Sequence, residues 1–191
     1  FLIRENFKVG ISLDGPREVN DKTRVMADGS GSFDKVVEAL EPLRKLHMLR
    51  RLGVVTTVTR MNAHLLDEIV QYFQKIGFGS VKFSYFSPQG KGISQNSLTP
   101  NPKDVVESFL RIIENIQNRK IHEIEVTDIL FFIQNCVLYD RLYMCRRSPC
   151  GASLNTIAVN RHGITICQSD NKSGGEGGIR THGNLTATHA L

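Results

Sequence analysis

The chain has 191 residues, 40% of them hydrophobic, which suffices for one domain with a real core and is tight for two. Its formal charge of +5 is spread along the chain, in short pairs such as Arg50-Arg51 and Arg146-Arg147. No nucleic-acid groove is expected, since that would need clustered basic residues interleaved with stacking aromatics. No stretch approaches the ~20 apolar residues of a membrane span, and the N-terminus lacks the order of a signal peptide, so a cytoplasmic location is expected.

Phe7 to Leu13 is an apolar run closed by Asp14-Gly15-Pro16, the composition of a strand ending in a turn. A chain that opens in mid-strand reads as a segment of a larger array. Ser32 is placed to cap a helix whose apolar face is Phe33, Val36, Val37, Leu40, Leu43 and Leu46. Pro42 predicts a kink or break near Glu41, and Gly53 is expected to end the helix. Val54 to Thr59 is β-branched enough for a buried parallel strand. Asn62 can cap the next helix, with Leu65, Leu66, Ile69, Val70 and Phe73 inward, which stops at Gly77 and Gly79 before a third strand, Val81 to Phe86.

This β-α-β-α-β order predicts parallel pairing, in either a barrel or a doubly wound sheet. A polar loop spans Ser87 to Asn101 and includes Gln89-Gly90-Lys91-Gly92. A helix from Pro102 to Asn118 follows, with Val105, Val106, Phe109, Ile112, Ile113 and Ile116 as its expected inner face. After Ile124 to Val126 comes a helical patch from Asp128 to Tyr139, in which Cys136 is expected in the core. Thr156 to Val159 and Ile164 to Cys167, joined by Asn160-Arg161-His162-Gly163, form a hairpin. From Lys172 the composition shifts to glycine, serine and threonine, with Gly174-Gly175-Glu176-Gly177-Gly178, which reads as a linker or, preferably, a shifted reading frame.

In a parallel β/α array the chemistry gathers at the carboxyl ends of strands. Ser12, Asp14, Thr57, Thr59, Tyr85, Ser87 and the Gln89 to Gly92 loop lie at such ends. By itself Ser-Leu-Asp-Gly-Pro is equally a plain polar turn. The cysteines at 136, 145, 150 and 167 all fall in the second half of the chain, and in a reducing compartment they suggest metal or redox chemistry before disulfides.

Val9-Gly10-Ile11-Ser12-Leu13-Asp14-Gly15-Pro16, then Asn20-Asp21, Arg24 and Gly31-Ser32-Phe33, resembles the fourth strand and following loop of radical S-adenosylmethionine enzymes. The similarity is to the branch with a SPASM extension, such as anaerobic sulfatase-maturating enzymes and peptide maturases, and it runs over residues 7 to 170. The resemblance implies that Ser12 lies against S-adenosylmethionine, that Asp14 belongs to the same motif as a turn-former, and that Arg24 binds a carboxylate of that cofactor or of a nearby loop.

Cys145-x4-Cys150, followed by Gly163-x3-Cys167, is similar to the opening of a SPASM extension, which implies thiolate ligands to auxiliary 4Fe-4S clusters. The family usually has four residues between that glycine and cysteine; this chain has three. A structural zinc held by Cys145, Cys150, Cys167 and His162, or three ordinary buried thiols, are the alternatives. Where the sulfatase-maturating branch carries an aspartate proposed as proton acceptor, this chain has Gln168, with Asp170 two residues on. That departure favours another peptide maturase. Tyr85, Tyr139 and Tyr143 could serve in radical or proton transfer, or simply pack. No Cys-x3-Cys-x2-Cys loop, which would hold the cluster that splits the cofactor, occurs in the sequence.

The expectation is therefore an α/β fragment. Residues 1–126 would be part of a parallel β/α barrel, 127–170 the start of a cysteine-bearing hairpin extension, and 171–191 a tail. The parent would be an oxidoreductase acting on a peptide or protein substrate, with flavodoxin or ferredoxin as reductant, and this chain alone would be incomplete. A zinc-stabilised binding module, or the remnant of a broken gene, is the alternative.

Overall fold

The computed structural model describes residues 9–88 and 94–137, together with the backbone of 158–160 and 163–165. Two compact units divide at Asp140 and Arg141. In the first, β1 (Val9–Ser12), β2 (Leu52–Val58), β3 (Ser80–Tyr85) and β4 (Glu125–Val126) form a parallel sheet in that linear order. Ser12 pairs with Val55, Val55 with Lys82, and Thr57 with Ser84. The second unit contains β5 (Ala158–Asn160) and β6 (Gly163–Thr165), paired antiparallel with Asn160 opposite Gly163. Cys145, Cys150, Cys167, His162, Tyr139, Tyr143, Gln168, Asp170 and the loop at 89–93 lie outside the described residues.

Period-two alternation decides which sheet face is covered. Leu52, Val54, Thr56 and Val58 of β2 are buried, as are Val81 and Phe83 of β3. Against them pack Phe33 of α2 (Phe33–Lys45), Leu66, Ile69, Val70 and Phe73 of α3 (Leu66–Ile76), and Ile112 of α4 (Pro102–Gln117), in one continuous core. Phe83 meets Phe109 of α4 edge to face, with ring centroids 5.5 Å apart. On the other face stand Gly10, Ser12, Gly53, Val55, Thr57, Ser80, Lys82 and Ser84, none of them buried.

Pro42 does not end α2, which runs unbroken from Phe33 to Lys45. Proline deprives the Glu38 carbonyl of its donor, but both residues are exposed, where the loss of one helical bond costs least. The chain instead leaves the helix through His47, at φ 53°. Gly53 lies inside β2, where an added Cβ would stand 2.9 Å from the Ser80 hydroxyl. Helix α3 stops, as expected, at Gly77, whose φ of 104° is left-handed.

Helix α4 is rotated from the face its periodicity predicts. Ser108 is buried and donates to the Ala63 carbonyl at 2.8 Å. Arg111 donates to Asp67 at 2.9 Å and to the His64 carbonyl at 2.6 Å. These polar anchors turn Val105, Phe109 and Ile112 inward and leave Val106, Leu110, Ile113 and Ile116 exposed.

A second correction concerns α5 (Thr127–Val137). Its Ile129 packs on the core, and Asp128 accepts the Phe83 N–H at 2.8 Å along the open edge of β3. Phe132, Ile133, Cys136 and Val137 face outward, so Cys136 is exposed rather than core. The Cys136 thiol should therefore react with Ellman's reagent at the rate of a free cysteine, and Cys136→Ser should lower the fast phase by one thiol per chain. A fast phase of undiminished amplitude in the variant would show that Cys136 is not accessible.

Candidate functional site

The carboxyl ends of β1 and β2 are tied together by the turn that follows β1. Leu13 donates to the Val55 carbonyl at 3.2 Å, and its own carbonyl accepts the Thr56 hydroxyl at 2.9 Å. This holds Asp14, which is 1% exposed, at the centre of a ring of donors. Its carboxylate accepts the Thr57 N–H at 2.7 Å, the Thr23 hydroxyl at 3.2 Å and Arg24 Nη2 at 3.0 Å. Arg24 Nε lies 2.8 Å from Oδ2, an ionic contact in which the N–H is not directed at the oxygen, so Nε has no hydrogen-bond partner. A buried carboxylate is tolerated only when compensated in this way.

The rest of the motif is wired into the same structure. The short helix α1 (Arg17–Asn20) delivers Asn20, fully buried, whose side chain accepts the Asp14 N–H at 3.0 Å and donates to the Ser32 hydroxyl at 3.2 Å. Ser32 therefore gives no cap to α2; Asp21 accepts the Phe33 N–H at 3.0 Å instead. A Cβ at Gly31 would stand 2.0 Å from the Asp21 carboxylate, so a larger residue there would push Asp21 away from the Phe33 N–H. Asn62 is likewise no simple cap. Its side chain accepts the Thr59 N–H at 2.7 Å and donates to the Thr57 carbonyl at 3.0 Å, and it reaches the Asp14 carbonyl at 3.4 Å.

Two of the expected site residues keep polar groups unspent. Ser12 is exposed on the uncovered sheet face and its hydroxyl makes no hydrogen bond among the described residues. Arg24 uses Nη2 twice, on Asp14 and on the Thr57 hydroxyl at 3.1 Å, while Nη1 has no partner among the described residues. Its side chain remains 29% exposed. Asp14 has no such spare capacity: its oxygens are taken by the protein's own donors, so it fixes Arg24 rather than reaching a ligand. Because strand partners share a face, Thr57 and Ser84 stand on the side of Ser12, and Tyr85, opposite the buried Val58, does not.

In the sequence Asn20 stands only as part of the resembling motif and Asn62 only as a helix cap; their roles as hydrogen-bond hubs were not legible, since an asparagine in a turn is ordinary. Lys82 on the uncovered face was legible from its position between the inward Val81 and Phe83. Among the described residues no group of histidine, cysteine, aspartate and glutamate is placed to hold a metal ion. No described helix is long and apolar enough to cross a membrane.

A partly exposed guanidinium at Thr57, on the same sheet face as the Ser12 hydroxyl, suits the carboxylate end of an amino-acid-like ligand. No family model matches the chain. It is 32% identical over 111 residues to the cysteine-type anaerobic sulfatase-maturating enzyme of Clostridium novyi (strain NT), covering 58% of this chain and 29% of that enzyme. A second such enzyme, from Clostridium perfringens (strain ATCC 13124), is 30% identical over 112 residues, again 58% of this chain and 30% of the relative. An uncharacterized protein of Methanothermobacter thermautotrophicus is 29% identical over 136 residues, 71% of this chain and 49% of its own length.

The chain thus spans less than half of the curated relatives it matches. Among solved structures, native anSMEcpe with bound AdoMet superposes with a TM-score of 0.60 at 22% identity, over 75% of this chain and 39% of the other. The form with bound AdoMet and the Cp18Cys peptide gives 0.62, over 75% and 40%. The parallel sheet and its helices accordingly share the fold of part of anSMEcpe, and the chain is a distant homologue of the anaerobic sulfatase-maturating enzymes.

Proposed function

We propose that the protein to which this sequence belongs is a peptide or protein maturase of the radical S-adenosylmethionine type. The described sheet would be part of its barrel, and the cofactor would sit against the uncovered ends of β1 and β2. The observation that carries this is the pair of unspent groups, Ser12 Oγ and Arg24 Nη1, on the face that the core leaves open. Support also comes from the solved relatives, which contain AdoMet and, in two cases, a peptide.

In this reading Arg24 binds the cofactor carboxylate, Ser12 donates to or accepts from its amino-acid portion, and Asp14 holds Arg24 charged and in place. When bound beside a reduced cluster, S-adenosylmethionine supplies the one-electron chemistry that removes a hydrogen atom from a substrate side chain. The small side chains of Gly10, Gly53 and Ser80 leave the uncovered face open to a bulky ligand. Cys145, Cys150 and Cys167 would contribute to auxiliary 4Fe-4S clusters, with flavodoxin or ferredoxin as reductant. Gln168, which is no base, favours a modification other than the sulfatase one.

Calorimetric titration with S-adenosylmethionine should show saturable one-to-one binding. Arg24→Lys keeps the charge facing Asp14 but loses the planar fork, and should weaken binding about tenfold. No binding by the wild-type chain, or equal binding by the variant, would remove the assignment. Iron and acid-labile sulfide after anaerobic reconstitution are the expected metal content; a single zinc per chain would favour the binding module instead.

A further inference from the structure

Arg24 is not gripped by Asp14 in the two-parallel-bond geometry that would set its plane. Only Nη2 donates to the carboxylate, and the Nε contact at 2.8 Å is ionic alone. A guanidinium held by one directed hydrogen bond and one ionic contact is fixed in place but its plane is set less firmly than by two directed bonds. The second direction comes from Thr57, whose hydroxyl accepts from Nη2 at 3.1 Å while its backbone N–H donates to the same Asp14 oxygen at 2.7 Å. Both Nη2 hydrogens are thereby used, and Nη1 becomes the edge left for a ligand.

We propose that the Thr57 hydroxyl is a positioning group that sets the plane of Arg24 and aims Nη1 at the uncovered sheet face, tuning affinity for a ligand carboxylate there. The assignment of that carboxylate to S-adenosylmethionine rests on the function proposed above; the positioning itself does not. The local sequence is suited to it. Thr57 is β-branched, so its χ1 is stiff and the hydroxyl direction well defined. It shares a sheet face with Ser12, because Ser12 pairs with Val55 and Thr57 is two residues on. The neighbouring Thr56 points the other way and spends its hydroxyl on the Leu13 carbonyl, so it cannot substitute.

Thr57→Val is the informative change, since it removes the hydroxyl while keeping the β-branch and the backbone bond to Asp14. Thr57→Ser restores the hydroxyl. In ¹⁵N-arginine NMR of the ligand-free chain, the Arg24 signals, assigned by their loss in Arg24→Lys, should show the same slow guanidinium rotation in the wild type and Thr57→Ser but measurably faster rotation in Thr57→Val. Titration with S-adenosylmethionine should give about tenfold weaker binding for Thr57→Val and near wild-type binding for Thr57→Ser.

Unchanged guanidinium rotation in Thr57→Val overturns the positioning role. So does a Thr57→Val chain that binds S-adenosylmethionine as tightly as the wild type. If rotation is faster in Thr57→Val but the wild type binds no S-adenosylmethionine, positioning stands and the cofactor assignment falls.

Discussion

Gly79→Ala is expected to lower the urea midpoint of the chain more than any change on its surface, by about 4 kcal/mol or more of stability. The reason is backbone against backbone. A Cβ at position 79 would stand 1.9 Å from the carbonyl oxygen of Arg50 and 2.9 Å from its carbon, so no side-chain rotation relieves the overlap. Gly79 also donates to the Leu52 carbonyl at 3.1 Å and accepts the Glu125 N–H at 3.0 Å, which places it between the entries to β2, β3 and β4. Any shift that admits the methyl group must part those strands. Since small domains hold only about 5–15 kcal/mol in total, much of the chain would be unfolded under mild conditions. An alanine variant with a wild-type midpoint in urea, followed by circular dichroism, would show that the close approach is not needed.

Asp14→Ala should cost about 3–5 kcal/mol, because it strands donors instead of merely deleting a contact. The Thr57 N–H and the Thr23 hydroxyl lose the Asp14 acceptor, and Arg24 Nη2 loses one of its two, at a position that is 1% exposed. The effect is electrostatic as well as steric, so it has a distinctive partner dependence. Adding Arg24→Met to Asp14→Ala removes the uncompensated cation and should return part of the lost stability, although each single change is destabilising. Strictly additive losses in the double variant would mean that the two side chains do not act as a pair.

Much of the scaffold was legible in advance because it is local physics. The β-branched run from Val54, the left-handed stop at Gly77, the proline-started helix at Pro102 and the apolar spacing of Leu66, Ile69, Val70 and Phe73 each specify an element from neighbours within a turn or two. The misreadings have one cause in common. Pro42, Gly53, Val106, Ile113 and Cys136 were judged by intrinsic preference, yet each is decided by what packs against it. Glu38 and Pro42 lie exposed, Ser80 crowds Gly53, the Ser108 and Arg111 anchors turn α4, and nothing described covers the outer side of α5.

The candidate site divides in the same manner. Ser12, Asp14 and Arg24 could be named from the motif, and the α/β order with its parallel strands follows from the alternation of apolar periods. The sequence determined these because periodicity and turn chemistry act over a few residues. Only the tertiary structure could decide that Asp14 is spent on Arg24, Thr23 and Thr57, that Asp21 rather than Ser32 caps α2, and that Arg24 keeps one edge free. Those outcomes depend on hydrogen bonds between residues 9 to 43 positions apart, and no local preference of the chain encodes which of several eligible polar groups will meet once the strands have paired.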